Sequence, residues 1–281
     1  MAGRLAPRLI LNHLATAACG AMVLVALVPL LSLLWLVISK GVGGLSFAFF
    51  VSRPAPMGEA GGVGPAIVGT FFMVGMACLV ALPLGVGAGV YLAERGSRPF
   101  PRIVRFLTEV LSGVPSIVLG VVAYALLVVP MKRFSAIAGA FALSLVMVPP
   151  LARSTEEFVR LVPLTLREAS LALGVPAWRT SLKVVLRTAL GGIATAALLA
   201  VARGAGETAP LLFTVVNNQF WQGVAMDAQM ANLPVVIFQF AMSPDHNWQR
   251  LAWGGALVIT FAILILNISA RLLANLRGFS K

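Results

Sequence analysis

Long and almost uncharged apolar stretches dominate this sequence, and they constrain its fold more than any other feature. Six segments carry about 20 mostly apolar residues, which is the length that a helix needs to cross a bilayer. They lie at residues 15–38, 66–92, 110–130, 134–151, 188–215 and 251–272. The chain is 59% hydrophobic and only 11% charged, whereas a soluble domain carries about 25% charged residues. The sequence therefore predicts an all-α, polytopic membrane protein with six transmembrane helices.

Lysine and arginine are distributed unevenly between the segments that join these spans. If the N terminus lies inside, fifteen of the 21 basic residues are inside, five are outside and Arg203 is within a span. Basic residues accumulate in cytoplasmic loops. The sequence therefore predicts a multi-pass protein of the cytoplasmic membrane with both termini in the cytoplasm. This distribution also explains the net charge of +12 without a nucleic-acid partner.

The spans divide the chain into a short N-terminal part and one large transmembrane domain. Within the second outer loop, the apolar run Val235 to Met242 is too short to span a bilayer, so it predicts an interfacial or re-entrant helix that starts near Pro234. Pro149 and Pro150 are expected to end the fourth span. The predicted parts are an N-terminal tail with the first transmembrane helix (1–45), a Gly/Pro-rich extracytoplasmic loop (46–65), the transmembrane domain (66–273) with a cytoplasmic loop (153–187) and an outer loop (217–250), and a cytoplasmic tail (274–281).

Two glycines in the second span, Gly85 and Gly89, are four residues apart. Small residues at this spacing permit close packing of a second helix. Glycine is also common in membrane helices for no such reason, and both interpretations are open at this point.

The cytoplasmic loop contains a charged segment, REASLALGVPAWRTSLKVVLR, at residues 167–187. Gly174 followed by Pro176 predicts the end of one helix and the start of the next. Upstream, the S-x-x-E pattern of residues 154–157 predicts a capped helix start. The helix that follows is expected to pack on the bundle through Leu166, Ala169, Ser170 and Leu173, and to present Arg167 and Glu168 to a cytoplasmic partner. An ordinary amphipathic helix on the membrane surface is the plainer alternative.

Arg203 and Glu207 are four residues apart in the fifth predicted span and are therefore expected on one helix face. A charge at the bilayer centre costs about 2.5–3.5 kcal/mol, so both side chains must face protein or water. They form either a structural ion pair or, with Thr208, part of a substrate path. Arginine suits a tetrahedral oxyanion. Glu207 would then position Arg203 or accept a hydrogen bond from a protonated oxyanion such as hydrogen phosphate.

Several of these segments resemble one family of transporters. The glutamate, two small residues and glycine at Glu168, Ala169, Ser170 and Gly174 resemble the EAA loop of binding-protein-dependent ABC permeases, although Arg187 stands where that pattern has proline. The runs PAPMGEAGGVGPAIVGT (54–70), ARGAGETAPLLFT (202–214), NNQFW (217–221) and NLPVVIFQFAMSP (232–244) resemble phosphate ABC importer permeases of the PstA type. The similarity covers most of the chain from about residue 45.

The resemblance implies a type I ABC importer permease fold and passage of inorganic phosphate into the cell. It implies that Arg203 and Glu207 act in translocation, and that an ATPase contacts the EAA loop, for which the candidate residues are Arg167, Glu168, Ala169, Ser170 and Gly174. The implied partners are a homologous second permease, an ATPase dimer and an extracytoplasmic phosphate-binding protein, all at a lipid bilayer.

The chain itself is expected to be a transporter subunit rather than an enzyme, with no catalytic residue and no cofactor. It has no phosphate-binding G-x-x-x-x-G-K-[ST] loop, so ATP and Mg²⁺ are expected on the separate ATPase. Two cysteines and two histidines are too few and too scattered for a metal site. Three alternatives stay open: a permease for another oxyanion such as molybdate or sulfate, a proton-coupled carrier that uses the Arg203–Glu207 pair, and a non-transporting membrane scaffold.

Overall fold

The computed structural model describes residues 5–59, 61–96, 99–218 and 225–276, and these residues are mainly helical. Residues 1–4, 219–221 of the NNQFW run and 277–281 of the predicted tail lie outside the described part. The helices are α1 (Leu5–Gly41), α2 (Phe47–Val51), α3 (Gly64–Arg95), α4 (Pro99–Gly113), α5 (Ser116–Ala123), α6 (Val129–Met131), α7 (Ala136–Arg160), α8 (Leu164–Ala172), α9 (Ala177–Thr180), α10 (Leu186–Gly206), α11 (Ala209–Thr214), α12 (Leu233–Ala241) and α13 (His246–Leu276). Single turns of π-helix, Tyr124–Val128 and Ser181–Val185, join α5 to α6 and α9 to α10.

The all-α prediction is confirmed, but one span is broken. Among the described residues, five helices are long and apolar enough to cross a bilayer. The predicted third span, 110–130, begins inside α4 and continues into α5 and α6, whose direction differs from that of α4 by 106°. A continuous helix here was therefore a wrong prediction. The chain turns at Pro115, which has an extended ψ of 135° and cannot supply the N–H that would continue α4.

Helix α7 lies at the centre of the bundle, between α3 and α10. Of the two interpretations of Gly85 and Gly89, close helix packing is the correct one. A methyl group on Gly85 would lie 2.8 Å from the side chain of Leu151, and one on Gly89 would lie 2.5 Å from the carbonyl oxygen of Ala152. The two glycines thus let the backbone of α3 approach α7 more closely than any larger residue would allow.

Helix α7 passes through Pro149 and Pro150 and ends at Arg160, so the prediction that these prolines end the fourth span was wrong. Proline is tolerated in a membrane helix when neighbouring helices and local adjustment satisfy the freed backbone groups. The S-x-x-E pattern at 154–157 consequently lies within α7 and starts no helix. The first eight residues of the predicted loop 153–187 belong to α7 as well.

At the opposite end of the bundle, the irregular segment 52–59 and 61–63 is fastened to the start of α13. The carboxylate of Asp245 accepts hydrogen bonds from the backbone N–H groups of Trp248, at 2.9 Å, and Gly58, at 2.8 Å. The indole of Trp248 donates to the carbonyl oxygen of Ala55 at 3.1 Å. The predicted short helix is confirmed as α12, which Asn232 caps by accepting from Val235 N at 3.0 Å.

The Asp245 contacts predict a pH-sensitive loop. The hydrogen bond from the Trp248 backbone N–H, followed by that from Gly58, holds the pKa of Asp245 below its ordinary value of 3.8. This stabilisation is therefore fully present above pH 3.8 and is lost as the pH falls through the lower folded pKa. We expect Asp245→Ala to speed amide exchange across 53–59 at neutral pH, and the difference from wild type to vanish in acid. Asp227→Ala, which removes an exposed pair with Arg133, is the control and should change nothing there.

Candidate functional site

The candidate substrate path lies where α10 gives way to α11. Helix α10 ends at Gly206, Glu207 is extended with φ −75° and ψ 124°, and α11 begins at Ala209. The continuous span predicted for 188–215 was therefore wrong, and so was the argument that Arg203 and Glu207 share one helix face. The ring of Pro210 excludes the helical position of the carbonyl group four residues earlier, which is that of Gly206.

Arg203 and Glu207 nevertheless form an ion pair across this break. The Nε atom of Arg203 lies 3.5 Å from Oε1 of Glu207, and the two side chains are 52% and 17% exposed. A charge-assisted hydrogen bond is about 2.7–2.9 Å long, so this pair is loosely held. Thr208 follows directly and is partly buried at the start of α11. The structure thus brings all three predicted path residues together at one helix break.

The side chain of Arg203 does not line the apolar cavity in this region. That cavity, of about 280 Å³, is bounded by Ala202 and Ala205 of α10 together with residues of α3 and α13. Arg203 instead shares its side of α10 with the exposed Leu199 and with Gly206, which has open space around it. Arg203 therefore lies on the outer surface of this chain, whereas Glu207 beside it is mostly covered.

The predicted helix–turn–helix at the other end of α10 is confirmed. We use the name 164–180 helix–turn–helix for α8, the turn and α9. Gly174 has a φ of +77° and donates to Leu171 O at 2.9 Å, while Val175 donates to Ser170 O at 3.2 Å. These two bonds form the Schellman motif that ends a helix at a left-handed glycine. The hydroxyl groups of Ser170 and Thr180 lie 2.9 Å apart and join the two arms.

The orientation predicted for α8 was correct for Ser170 and Glu168 but wrong for Leu166, Arg167, Ala169 and Leu173. Leu166 and Leu173, expected against the bundle, are exposed, the latter by 84%. Arg167, expected to face a partner, turns inward and forms an ion pair with Glu94, while its Nη2 donates to Val159 O at 2.9 Å. Among the other candidate residues, Ser170 is buried, whereas Glu168, Ala169 and Gly174 are exposed. Arg167 is thus held against α3 and α7 by Glu94 and by the carbonyl group of Val159.

Glu94, at the end of α3, is a residue that sequence reasoning missed. One carboxylate oxygen accepts from Arg167 of α8, and the other accepts from Ser181 Oγ, directly after α9, at 2.7 Å. Glu94 thus connects α3 to α8 and to the π-turn that leads into α10. The chain has only nine acidic residues, and this scarcity is the signal that could have drawn attention to it.

Glu156 was also missed, because it lies inside the S-x-x-E pattern of residues 154–157 that was interpreted as a helix start. Its side chain is 8% exposed, and its Oε1 lies 2.5 Å from Arg105 Nη2 of α4 and 2.7 Å from Arg160 Nη2. A buried carboxylate with two guanidinium partners connects α4 firmly to the end of α7. Across the described ranges, no three His, Cys, Asp or Glu side chains lie together as metal ligands.

Comparisons with known proteins identify the family. The family described as binding-protein-dependent transport system inner membrane component matches residues 85–277. The phosphate transport system permease protein PstA of Yersinia pestis is 44% identical over 264 residues, covering 93% of this chain and 89% of that protein. The Haemophilus influenzae PstA is 48% identical and covers 89% of each chain.

The fold is also found in a solved transporter. A chain of the MetNI methionine ABC transporter in an inward-facing conformation superposes with a TM-score of 0.61 at 19% identity, covering 78% of this chain and 94% of that one. The all-α arrangement is thus that of an ABC importer permease, and the candidate spans make the chain a multi-pass membrane protein. From its sequence relatives, this chain belongs to the PstA family of phosphate transport system permeases, within the binding-protein-dependent inner membrane components.

Proposed function

We propose that this chain is the membrane subunit of an ATP-driven importer and passes inorganic phosphate across the cytoplasmic membrane at the Arg203–Glu207 site. The observation that carries the proposal is a half-exposed guanidinium beside a helix break, in a helix that carries no other charge from residue 188 to 206. A charge in such a place is expensive in lipid, and intramembrane charges of this kind mark substrate or ion pathways.

The loose pair suits reversible binding of an oxyanion. The planar fork of Arg203 can donate to two oxygens of one phosphate ion. The carboxylate of Glu207, 3.5 Å away, keeps the guanidinium in place when phosphate is absent. It also accepts a hydrogen bond from the hydroxyl of hydrogen phosphate, which sulfate cannot offer. Thr208 adds a hydroxyl at the same helix break.

The 164–180 helix–turn–helix is the proposed contact for the ATPase. In this arrangement both termini of the chain lie in the cytoplasm as well. Its outward surface carries the exposed side chains of Leu164, Leu173 and Trp178. Apolar side chains that project from a polar membrane surface mark a protein contact. Because Glu94 and Ser181 tie this segment to α3 and to the approach to α10, displacement of the segment moves the helix that carries Arg203.

The proposal implies three kinds of partner. A homologous second permease covers the open side of Arg203, an ATPase dimer supplies ATP and Mg²⁺, and an outer phosphate-binding protein delivers the substrate. No covalent chemistry falls to this chain, so it acts as a transporter subunit.

The proposed function is tested by ATP hydrolysis of the complete transporter in proteoliposomes. Phosphate, loaded on the binding protein, is expected to stimulate hydrolysis and to accumulate inside, whereas sulfate and molybdate do neither. Equal stimulation by sulfate would show that the site is not selective for phosphate. Uptake driven by a proton gradient without ATP would instead identify a carrier that uses Glu207.

The proposed ATPase contact predicts a loss of assembly. Leu164→Asp combined with Leu173→Asp places two charges on the outward side of α8 and is expected to abolish co-purification of the ATPase, because burying unpaired carboxylates is costly. The membrane level of the permease should stay normal, since both positions are exposed. Met57→Asp, at an exposed position of the opposite end, is the matched control and should leave the complex intact. ATPase retention by the double variant would contradict the contact.

A further inference from the structure

Helix α4 turns its polar side toward the rest of the protein and its apolar side outward, which is the reverse of an amphipathic helix in a soluble protein. Its polar side faces α7, because Arg105 forms the ion pair with Glu156 at 2.5 Å. Large apolar side chains cover its other side and are exposed, with Phe106 at 63%. These outward residues are Phe100, Ile103, Phe106, Leu107 and Val110. In a soluble domain such a stripe would face the core, so α4 is built to place its apolar side in an apolar medium outside the chain.

The direction of α4 shows which part of that medium it meets. The helix turns by 106° from α5 and α6, so it lies across the bundle axis rather than along it. It is located at the basic end of the bundle, next to Arg160 and the end of α3. A helix transverse to the spans at this level lies in the plane of the bilayer surface, where amphipathic helices insert their apolar face.

Charged and aromatic neighbours at this level fit a lipid surface. The side chain of Arg95 is exposed at the end of α3, and that of Arg102 is exposed in the first turn of α4. The ring of Tyr91 in α3 lies 6.1 Å from that of Phe100. Tyrosine is enriched at the level of the lipid headgroups, and exposed arginines there attract anionic lipids.

We propose that α4 is an interfacial helix, whose apolar side enters the headgroup–acyl boundary of the leaflet on the side of the 164–180 helix–turn–helix. Arg95 and Arg102 bind the phosphate groups of anionic lipids at its edge. Because Arg105 of the same helix holds Glu156 of α7, and α7 leads directly to α8, the lipid-bound helix braces the end of the bundle that carries this segment. This inference does not depend on the identity of the transported ion.

Spin-label accessibility in the complete transporter tests the depth of α4. Labels are placed on Phe106→Cys and, separately, on Arg102→Cys, with Cys19 and Cys78 replaced by serine and alanine. The complex is reconstituted in vesicles of phosphatidylethanolamine and phosphatidylglycerol. We expect oxygen to relax the label at 106 more than a water-soluble nickel complex does, with a depth of about 5–10 Å below the phosphates. The label at 102 should respond mainly to nickel.

Two results would overturn the proposal. A label at 106 that is shielded from both reagents would mean that a protein subunit covers this side of α4. One that responds mainly to nickel would mean that it faces water. Leu107→Cys reports from the same side if Phe106→Cys does not assemble. A further experiment replaces phosphatidylglycerol by phosphatidylcholine. The label at 107 should then lie at a shallower depth when Arg95 and Arg102 are present, but its depth should not change in the Arg95→Gln, Arg102→Gln variant. Equal depth in both lipids with the two arginines present would refute the anionic-lipid contact.

Discussion

Replacing Arg203 by glutamine is expected to reduce phosphate uptake by roughly 10- to 100-fold, because a hydrogen bond to a charged group contributes about 1.5–3 kcal/mol. Glutamine keeps a donor of similar length but loses the positive charge and the forked geometry. The measurement is uptake of labelled phosphate by cells in which the variant and the wild type reach equal membrane levels. Hydrolysis of ATP stimulated by phosphate should fall in parallel.

The matched control for Arg203 is Arg153→Gln. Arg153 also pairs with a glutamate four residues later, since its Nε lies 3.3 Å from Glu157 Oε1. Both side chains of this pair are mostly exposed near the end of α7. Uptake by this control should stay close to the wild-type value. Glu207→Gln is expected to transport phosphate poorly as well, and normal uptake in both Arg203→Gln and Glu207→Gln would refute the proposed path.

Glu94→Ala is expected to separate ATP hydrolysis from transport. The substitution removes the carboxylate that holds Arg167 and Ser181, so α8 can follow the ATPase without moving α3, while α9 stays continuous with α10. We expect uptake to fall by roughly 10- to 100-fold, since the loss of one mostly buried charge contact costs about 1.5–3 kcal/mol. Basal hydrolysis by the assembled complex should change little.

A charge exchange distinguishes coupling from simple loss of stability. Glu94→Arg combined with Arg167→Glu should restore part of the uptake that either single substitution removes, because the pair is reformed with reversed sign. Glu157→Ala, at an exposed acidic residue of α7, should leave uptake and hydrolysis unchanged. If Glu94→Ala lowers uptake and hydrolysis equally, the residue stabilises the fold and has no separate role in coupling.

Local signals in the sequence predicted the features that depend on local chemistry. Gly174 and Pro176 predicted the turn between α8 and α9, since only a left-handed glycine completes that motif without strain. The apolar runs predicted the spans because a bilayer demands a minimum helix length. Pro234 likewise marked the start of α12, where a proline belongs to the first turn.

Proline lies within a continuous helix at one place and follows the end of a helix at another, so a proline alone does not predict where a helix ends. Pro149 and Pro150 lie inside α7, where contacts from α3 and α10 hold the helix together. Pro210 follows Gly204 and Gly206, and there α10 ends. The difference lies in the packing around each proline, which no short segment of sequence contains.

The side of α8 that faces the bundle was mispredicted for a related reason. Arg167 turns inward because its partner, Glu94, lies 73 residues earlier in the chain. Hydrophobic periodicity alone pointed to Leu166 and Leu173 instead. Pairing between distant charges depends on the fold that it helps to fix, so the sequence pattern could name Arg167 as important without giving its direction.

The half-exposed guanidinium of Arg203 also affects the stability of the subunit before it assembles. Before its partners arrive, this side chain would meet acyl chains, at a cost of about 2.5–3.5 kcal/mol. The membrane would thin or admit water beside α10 until a second subunit covers it. If a second subunit covers Arg203 as we propose, the charge that binds phosphate also makes a copy without that partner less stable in the membrane than the assembled one.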